Sequence, residues 1–358
     1  MKYLIVTNHS YMLWQFRREL IAELQKKGDV VISMPFVGHE EDFMQMGCKS
    51  INTDIDRRGI DPVNDIKLYR KYTELLKTEK PDMVITYSIK PNIYMGYACS
   101  RLKIPYCVNV QGLGTAFQKL LLAPVVTFMY KVALKKAKTV FFENSANINV
   151  FLTRKICREA QVCLLNGAGV NLQEYPLKAY PSPDKTVFLF VGRVMKEKGV
   201  DEFLYAAQKI HSENENAEFL IAGFMEDNYE DVIKAAENEG YIKYIGHQNN
   251  MNKWYKAASC IVLPSYHEGM SNVLLEAAAS GRPVITSDIP GCREAVDDGV
   301  TGYLCKVKDK EDVYLKMKAF ADLPHDSKAA MGIAGNIKIK AIFNKLDVVK
   351  TTIAAIND

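Results

Sequence analysis

Tyr266-His267-Glu268-Gly269-Met270-Ser271-Asn272-Val273-Leu274-Leu275-Glu276-Ala277 is the stretch whose reading decides the fold. It follows the apolar run Cys260-Ile261-Val262-Leu263-Pro264, which reads as a buried parallel strand. It then opens a helix whose apolar positions Val273, Leu274, Ala277 and Ala278 recur at helical spacing, with Ser271 or Asn272 as N-cap. Strand, Gly-containing loop and helix N-terminus aim backbone N–H groups and a positive helix end at one place, an arrangement suited to phosphate. Glu268 lies at the mouth of the turn and Glu276 inside the helix. By spacing alone the pair fits a sugar-binding site and a capped helix with one loop acid and one buried acid equally well.

A second stretch has the same form. Phe188-Leu189-Phe190-Val191-Gly192-Arg193-Val194-Met195-Lys196-Glu197-Lys198-Gly199 is a buried strand running into a loop that carries Arg193 and Lys198. A guanidinium fork and an ammonium point charge together suit a diphosphate. Exposed basic loop residues are also commonly just solvated.

Together these stretches resemble the bacterial family 4 glycosyltransferases of GT-B fold. The family's E-x7-E element matches Glu268 and Glu276, and its G-R-x4-K-G element matches Gly192, Arg193, Lys198 and Gly199. Gly167-Ala168-Gly169-Val170-Asn171 is similar to the segment that opens the family's second domain, and the resemblance runs from about Arg57 to about Leu304. Lys90-Pro91-Asn92-Ile93-Tyr94 and Gln111-Gly112-Leu113-Gly114 resemble the branch that extends lipid-linked glycans for surface polysaccharides.

The bulk properties agree with an α/β protein of two domains. The chain has 358 residues, 48% hydrophobic and 25% charged. Its net charge of +4 hides an asymmetry: residues 1–175 carry 24 Lys and Arg against 16 Asp and Glu, the rest 22 against 26. A basic first half fits an anionic acceptor or membrane surface; no nucleic-acid partner is expected. The eight Cys are scattered singly, which favours reduced thiols in a cytosol over a metal site. The first apolar run is too short for a secretory signal, and the stretch from Leu120 to Tyr130 falls short of the ~20 residues of a spanning helix. A cytoplasmic location, peripheral to the inner face of the cytoplasmic membrane, is expected.

Strands alternate with helices throughout, which means βαβ units and parallel sheets. The Gly- and Pro-bearing connection near residues 166–183 separates two Rossmann-like domains, expected to face one another across a cleft. Residues 1–165 read as the acceptor-binding domain and 166–340 as the nucleotide-sugar-binding domain. The resemblance implies that a helix in 341–358 packs back on the first domain.

In the first half, the turn Thr7-Asn8-His9-Ser10-Tyr11 lacks G-x-G-x-x-G, so a nicotinamide-binding reading has no fingerprint. Relatives often carry a Gly-rich loop there; its absence leaves Asn8 and His9 as acceptor- or sugar-facing candidates only. Lys90 and Asn92 follow a strand end, where ligands sit in open α/β sheets, although Pro91 and Asn92 equally start and cap a helix. Gln111 and Gly112 end another strand; Gln111 stands where many relatives have a His, and its amide can position a hydroxyl but cannot shuttle a proton. Asp54-Ile55-Asp56 has the form of a metal site, but the adjoining Arg57-Arg58 repel a cation, so no metal is expected. Helix 116–138 sets five lysines beside a run of Leu, Val, Phe and Met, a composition fit for an anionic membrane face or for a core-facing stripe with solvated lysines.

The resemblance implies transfer of a hexose or N-acetylhexosamine from a UDP-sugar to a hydroxyl of a polyprenyl-diphosphate-linked saccharide, with retention of configuration. Glu268, Arg193 and Lys198 are the candidate catalytic residues. Gly192, Gly246, Gly269, Met270, Ser271, Asn272 and Glu276 are the candidate donor-binding residues, and no cofactor beyond the UDP-sugar substrate is implied. Two alternatives stand beside this: a nucleotide-sugar epimerase of the same fold, and a non-catalytic nucleotide-sugar-binding subunit.

Overall fold

The computed structural model describes residues 1–55, 61–113, 117, 122–226 and 228–357. The chain divides into two compact units: Met1–Ala168 with Leu346–Asp358, and Gly169–Lys345.

The first unit contains β1 (Lys2–Val6), α1 (Ser10–Gln25), β2 (Asp29–Met34), α2 (Glu40–Gln45), β3 (Lys49–Asn52), α3 (Pro62–Glu79), β4 (Met83–Tyr87), α4 (Gly96–Leu102), β5 (Tyr106–Val110), α5 (Ala123–Leu134), β6 (Thr139–Phe142), α6 (Ser145–Thr153) and β7 (Val162–Leu164). Its seven strands are all parallel, in the order β3-β2-β1-β4-β5-β6-β7. Both faces are covered, so the strands read as continuous apolar runs rather than alternating ones. Along β1, Leu4 and Val6 enter one core cluster, Tyr3 and Ile5 the other.

The second unit contains β8 (Thr186–Val191), α7 (Val200–Glu213), β9 (Ala217–Ala222), α8 (Glu230–Asn238), β10 (Lys243–Tyr244), α9 (Asn252–Ala257), β11 (Cys260–Leu263), α10 (Asn272–Ala279), β12 (Val284–Ser287), β13 (Gly302–Cys305), α11 (Lys310–Ala321) and α12 (His325–Ile342). Its six-stranded parallel sheet runs β10-β9-β8-β11-β12-β13. The last helix, α13 (Lys345–Asn357), adds Val348, Val349 and Ile356 to the core of the first unit, where Lys138 Nζ donates to Ile356 O at 2.9 Å.

Three elements escape the sequence reading. α6 is capped by Asn144, whose Oδ1 accepts from Asn147 N at 2.8 Å, and β7 is a three-residue edge strand. α12 carries little apolar signal because small residues face its neighbour: a Cβ on Gly332 would lie 2.1 Å from Gly281 O. Gly lowers helix propensity while letting the two backbones touch, and Asn336 Nδ2 donates to Ala279 O at the end of α10. The helix that Pro91 and Asn92 are expected to start begins as a π-helical turn, Pro91–Met95, before α4.

Both sheets have a switch point, where the order of winding reverses: between β1 and β4 in the first, between β8 and β11 in the second. Ligands of open parallel sheets bind outside the carboxyl ends of the strands at such points.

Candidate active site

The two motifs of the second unit flank its switch point. β8 and β11 are hydrogen-bonded neighbours, with Phe190 opposite Val262, so the loops that follow them emerge side by side. Gly199 makes that closeness possible. It has φ +76° and its Cβ position lies 2.2 Å from Pro264 O, so any side chain there would collide with the loop after β11. Tyr266 N donates to Glu197 O at 2.9 Å, and Tyr266 Oη donates to Glu202 Oε1 at 2.7 Å, tying that loop to α7. On the other side Ser271 N donates to Gly291 O at 2.8 Å.

Within this frame Lys198 Nζ donates to Glu268 Oε1 at 2.5 Å, and Ser265 Oγ donates to the same oxygen at 2.9 Å. The Lys198 and Glu268 side chains are 18% and 12% exposed, so water screens the pair only in part. Arg193, more open, pairs with Glu226 at 3.0 Å. Ser271 stands at the N-cap of α10 as the sequence suggested, but its hydroxyl makes no capping bond. Ser271 and Met270 are buried, Gly269 and Asn272 partly buried, and the side-chain oxygen of Asn272 is enclosed without a hydrogen-bond partner.

Glu276 sits inside α10, 8% exposed, where Tyr255 Oη donates to it at 3.1 Å. Burial pushes its carboxyl up to about 7, partly offset by the Tyr255 hydrogen bond and the charge of Lys345. The remaining candidates lie on adjacent strand ends. Gly192 N donates to Ala222 O at 3.0 Å, and Gly223 N donates to Gly246 O at 3.0 Å. Beyond them the rings of Phe224 and His247 stack at 3.8 Å, with Phe224 57% exposed. The second unit thus carries two cations, two carboxylates, an α-helix start and an exposed aromatic face beyond the carboxyl ends of its strands.

The comparisons with known proteins bear on family and fold. Residues 176–337 match the family described as Glycosyl transferases group 1, and residues 3–144 match Glycosyl transferase 4-like. The chain is 26% identical over 343 residues to N,N'-diacetylbacillosaminyl-diphospho-undecaprenol alpha-1,3-N-acetylgalactosaminyltransferase of Campylobacter jejuni, covering 90% of this chain and 89% of that one. It is 24% identical over 278 residues to the capsular polysaccharide biosynthesis glycosyltransferase CapM of Staphylococcus aureus, covering 73% of each. Among solved structures, Anabaena HepE in complex with UDP and glucose superposes with a TM-score of 0.81 at 14% identity, covering 100% of this chain and 99% of that one. The chain belongs to the glycosyltransferases of GT-B fold.

In the first unit of the glycosyltransferase the candidates scatter. Asn8 and His9 are half-buried at the switch point, with His9 at the N-cap of α1. Lys90 Nζ is paired with Asp65 of α3 at 2.8 Å, both side chains largely buried. Asn92 is a correction: it is 1% exposed, accepts from Thr86 Oγ1 at 2.7 Å and donates to Asn109 O at 2.8 Å, so its amide ties β4 to β5 inside the core. Gln111 and Gly112 are half-buried past the end of β5.

The basic helix also differs from expectation. The described α5 starts at Ala123, with Pro124 in its first turn, and ends at Leu134, while residues 116 and 118–121 lie outside the described residues. Phe117 is buried against Tyr130 and Phe151, and Lys138 reaches α13. What α5 does expose is an apolar ridge, Val125, Phe128 and Val132, beside Lys131 and Lys135. Among the described residues no helix is long and apolar enough to cross a membrane. Asp54 is exposed, and Asp56 lies outside the described residues.

Nothing in the sequence signalled Glu226, Glu202 or Tyr255. Each acts through a partner far along the chain, a distance that no local motif encodes.

Proposed function

We propose that this glycosyltransferase moves a hexose or N-acetylhexosamine from a UDP-sugar to a hydroxyl of a polyprenyl-diphosphate-linked saccharide in surface-polysaccharide biosynthesis, with retention of anomeric configuration. The observation that carries this reading is the convergence of Arg193, Lys198 and the start of α10 beside Glu268 at one switch point. Cations and amide dipoles fixed there stabilise the charge that grows on a departing diphosphate more than they stabilise the intact donor, which is what accelerates the step. Bond breaking leaves an oxocarbenium-like sugar, and the leaving phosphate takes the acceptor proton. Glu268 holds donor hydroxyls and Glu276 the ribose; neither has to be a nucleophile. The exposed Phe224–His247 stack suits a nucleobase.

The lipid-linked acceptor is supported by the Campylobacter relative, whose name describes such a substrate and whose likeness spans nine-tenths of this chain. The basic α5 with its exposed Phe128 supports peripheral attachment to an anionic inner membrane face. Neither a metal nor a cofactor enters the step, because Arg193 and Lys198 supply the positive charge.

The test is a screen of UDP-sugars against a synthetic polyprenyl-diphosphate sugar, with and without a chelator, read by mass spectrometry and anomeric NMR. One sugar added with its donor configuration kept, at a rate indifferent to the chelator, is expected. Inverted product, strict dependence on a divalent cation, or epimerisation of donor alone defeats the proposal.

A further inference from the structure

Both cations assigned to the diphosphate already hold carboxylates from elsewhere in their own unit. Arg193 pairs with Glu226, 33 residues away, and Lys198 with Glu268, 70 residues away. A phosphate oxygen and a carboxylate oxygen compete for the same N–H groups.

The Glu226 pair is held in register by backbone. Val194 N donates to Phe224 O at 2.8 Å and Glu226 N donates to Val194 O at 3.0 Å. A parallel bridge between Val194 and Met225 carries the β8–β9 pairing past the strand ends. The acid therefore stands opposite the loop of Arg193 by design of the ladder, not by the chance reach of a surface side chain. The two pairs differ in strength. Arg193 is 47% exposed and Glu226 31%, a weak pair that a ligand breaks readily. Lys198 and Glu268 are mostly buried, and Ser265 adds a second donor to the same oxygen. A ligand that takes Lys198 away must offer Glu268 other donors, or it leaves a half-buried carboxylate short of them. The hydroxyls of an intact donor sugar offer these; a free nucleoside diphosphate does not.

We infer that Glu226 and Glu268 act as internal competitors of the diphosphate, so that the UDP product is held more weakly than the intact donor and leaves as the two ion pairs re-form. The inference rests on the donor site proposed above, and it makes Glu226 a residue that tunes nucleotide affinity without touching substrate. Product release often limits turnover in enzymes that close over their substrates, which gives such competition a use.

The test is calorimetric titration of UDP into the unaltered protein and into Glu226→Gln, Glu226→Ala, Glu268→Gln, Arg193→Ala and Lys198→Ala. Removing an exposed competitor is expected to tighten UDP binding about two- to five-fold in both Glu226 variants. The gain is expected to shrink as salt rises, because salt screens the pair. Glu268→Gln is expected to tighten UDP at least as much. A gain of affinity is not what a merely damaged fold produces, and unfolding midpoints without added UDP check each variant. UDP binding that stays the same or weakens in both Glu226 variants, while Arg193→Ala weakens it, overturns the inference and leaves the donor site standing. Binding of UDP that neither Arg193→Ala nor Lys198→Ala weakens, or no binding at all, removes the donor site and the inference together.

Discussion

Near the carboxyl end of β4 in the first unit, charge is sealed in. Arg17 and Glu143 meet at 2.7 Å with 5% and 8% of their side chains exposed, and the guanidinium lies 5.4 Å over the ring of Tyr87. Near the carboxyl end of β8 in the second unit, Arg193 also meets a carboxylate, but about half of it faces solvent. The two sheets are wound alike, yet one uses its arginine as an internal strut and the other keeps one available. Burial, not residue type, decides which role an ion pair plays. A buried pair is expensive to break because the survivor is left uncompensated, whereas an exposed pair exchanges partners at little cost.

The sharpest way to break this contrast is Glu143→Ala. It strands Arg17 in the core and is expected to cost about 3–5 kcal/mol in the first unit, read by urea unfolding. Arg193→Ala is expected to cost no more than about 1 kcal/mol in the second. Equal losses would erase the distinction.

Next in size is Lys198→Ala, expected to lower kcat about 10²–10³-fold in a transfer assay. A drop confined to KM would mean that Lys198 binds donor and transition state alike.

Glu276 lies between the two types, buried like Glu143 yet placed among the residues proposed to bind the donor. Its carboxyl keeps its proton to about pH 7 in the folded chain, against an ordinary value of 4.5. Folding is therefore favoured most below about pH 4.5, and the advantage is lost as pH rises through 7. Glu276→Gln removes the penalty of ionising a buried acid. It is expected to gain up to about 3 kcal/mol over the unaltered protein at pH 8 and almost nothing at pH 4, while binding UDP more weakly. A variant that loses stability at pH 8 would show that the charge is compensated by its neighbours.

The smallest effect is expected from Lys90→Ala. Its ammonium is already held by Asp65 in a largely buried pair, so the acceptor KM should move little, whatever the lost pair costs in stability. A larger shift would mean that Lys90 leaves Asp65 to meet the acceptor.

The parallel architecture was legible because both faces of each sheet are covered, which turns central strands such as β1, β4, β8 and β11 into apolar runs of four to six residues. The pairing of the loops after β8 and β11 was legible because their close approach demands Gly199. What stayed hidden was long-range or non-periodic. The Gly332 position of α12 packs by absence of side chain, which no hydrophobic pattern records. Asn92 looked like a strand-end contact, and only the fold shows its amide enclosed between β4 and β5. The first-unit candidates were the least legible because the residues that enclose them, such as Asp65, come from other elements.

The last helix has a consequence for biosynthesis. Val348, Val349 and Ile356 complete the layer that holds Tyr3 and Ile5, and Thr139 Oγ1 donates to Ala355 O at 3.2 Å. These residues leave the ribosome only after all of Gly169–Lys345 has been made. The unit translated first is therefore the one that finishes second, waiting with part of its inner layer uncovered while its neighbour already has everything it needs.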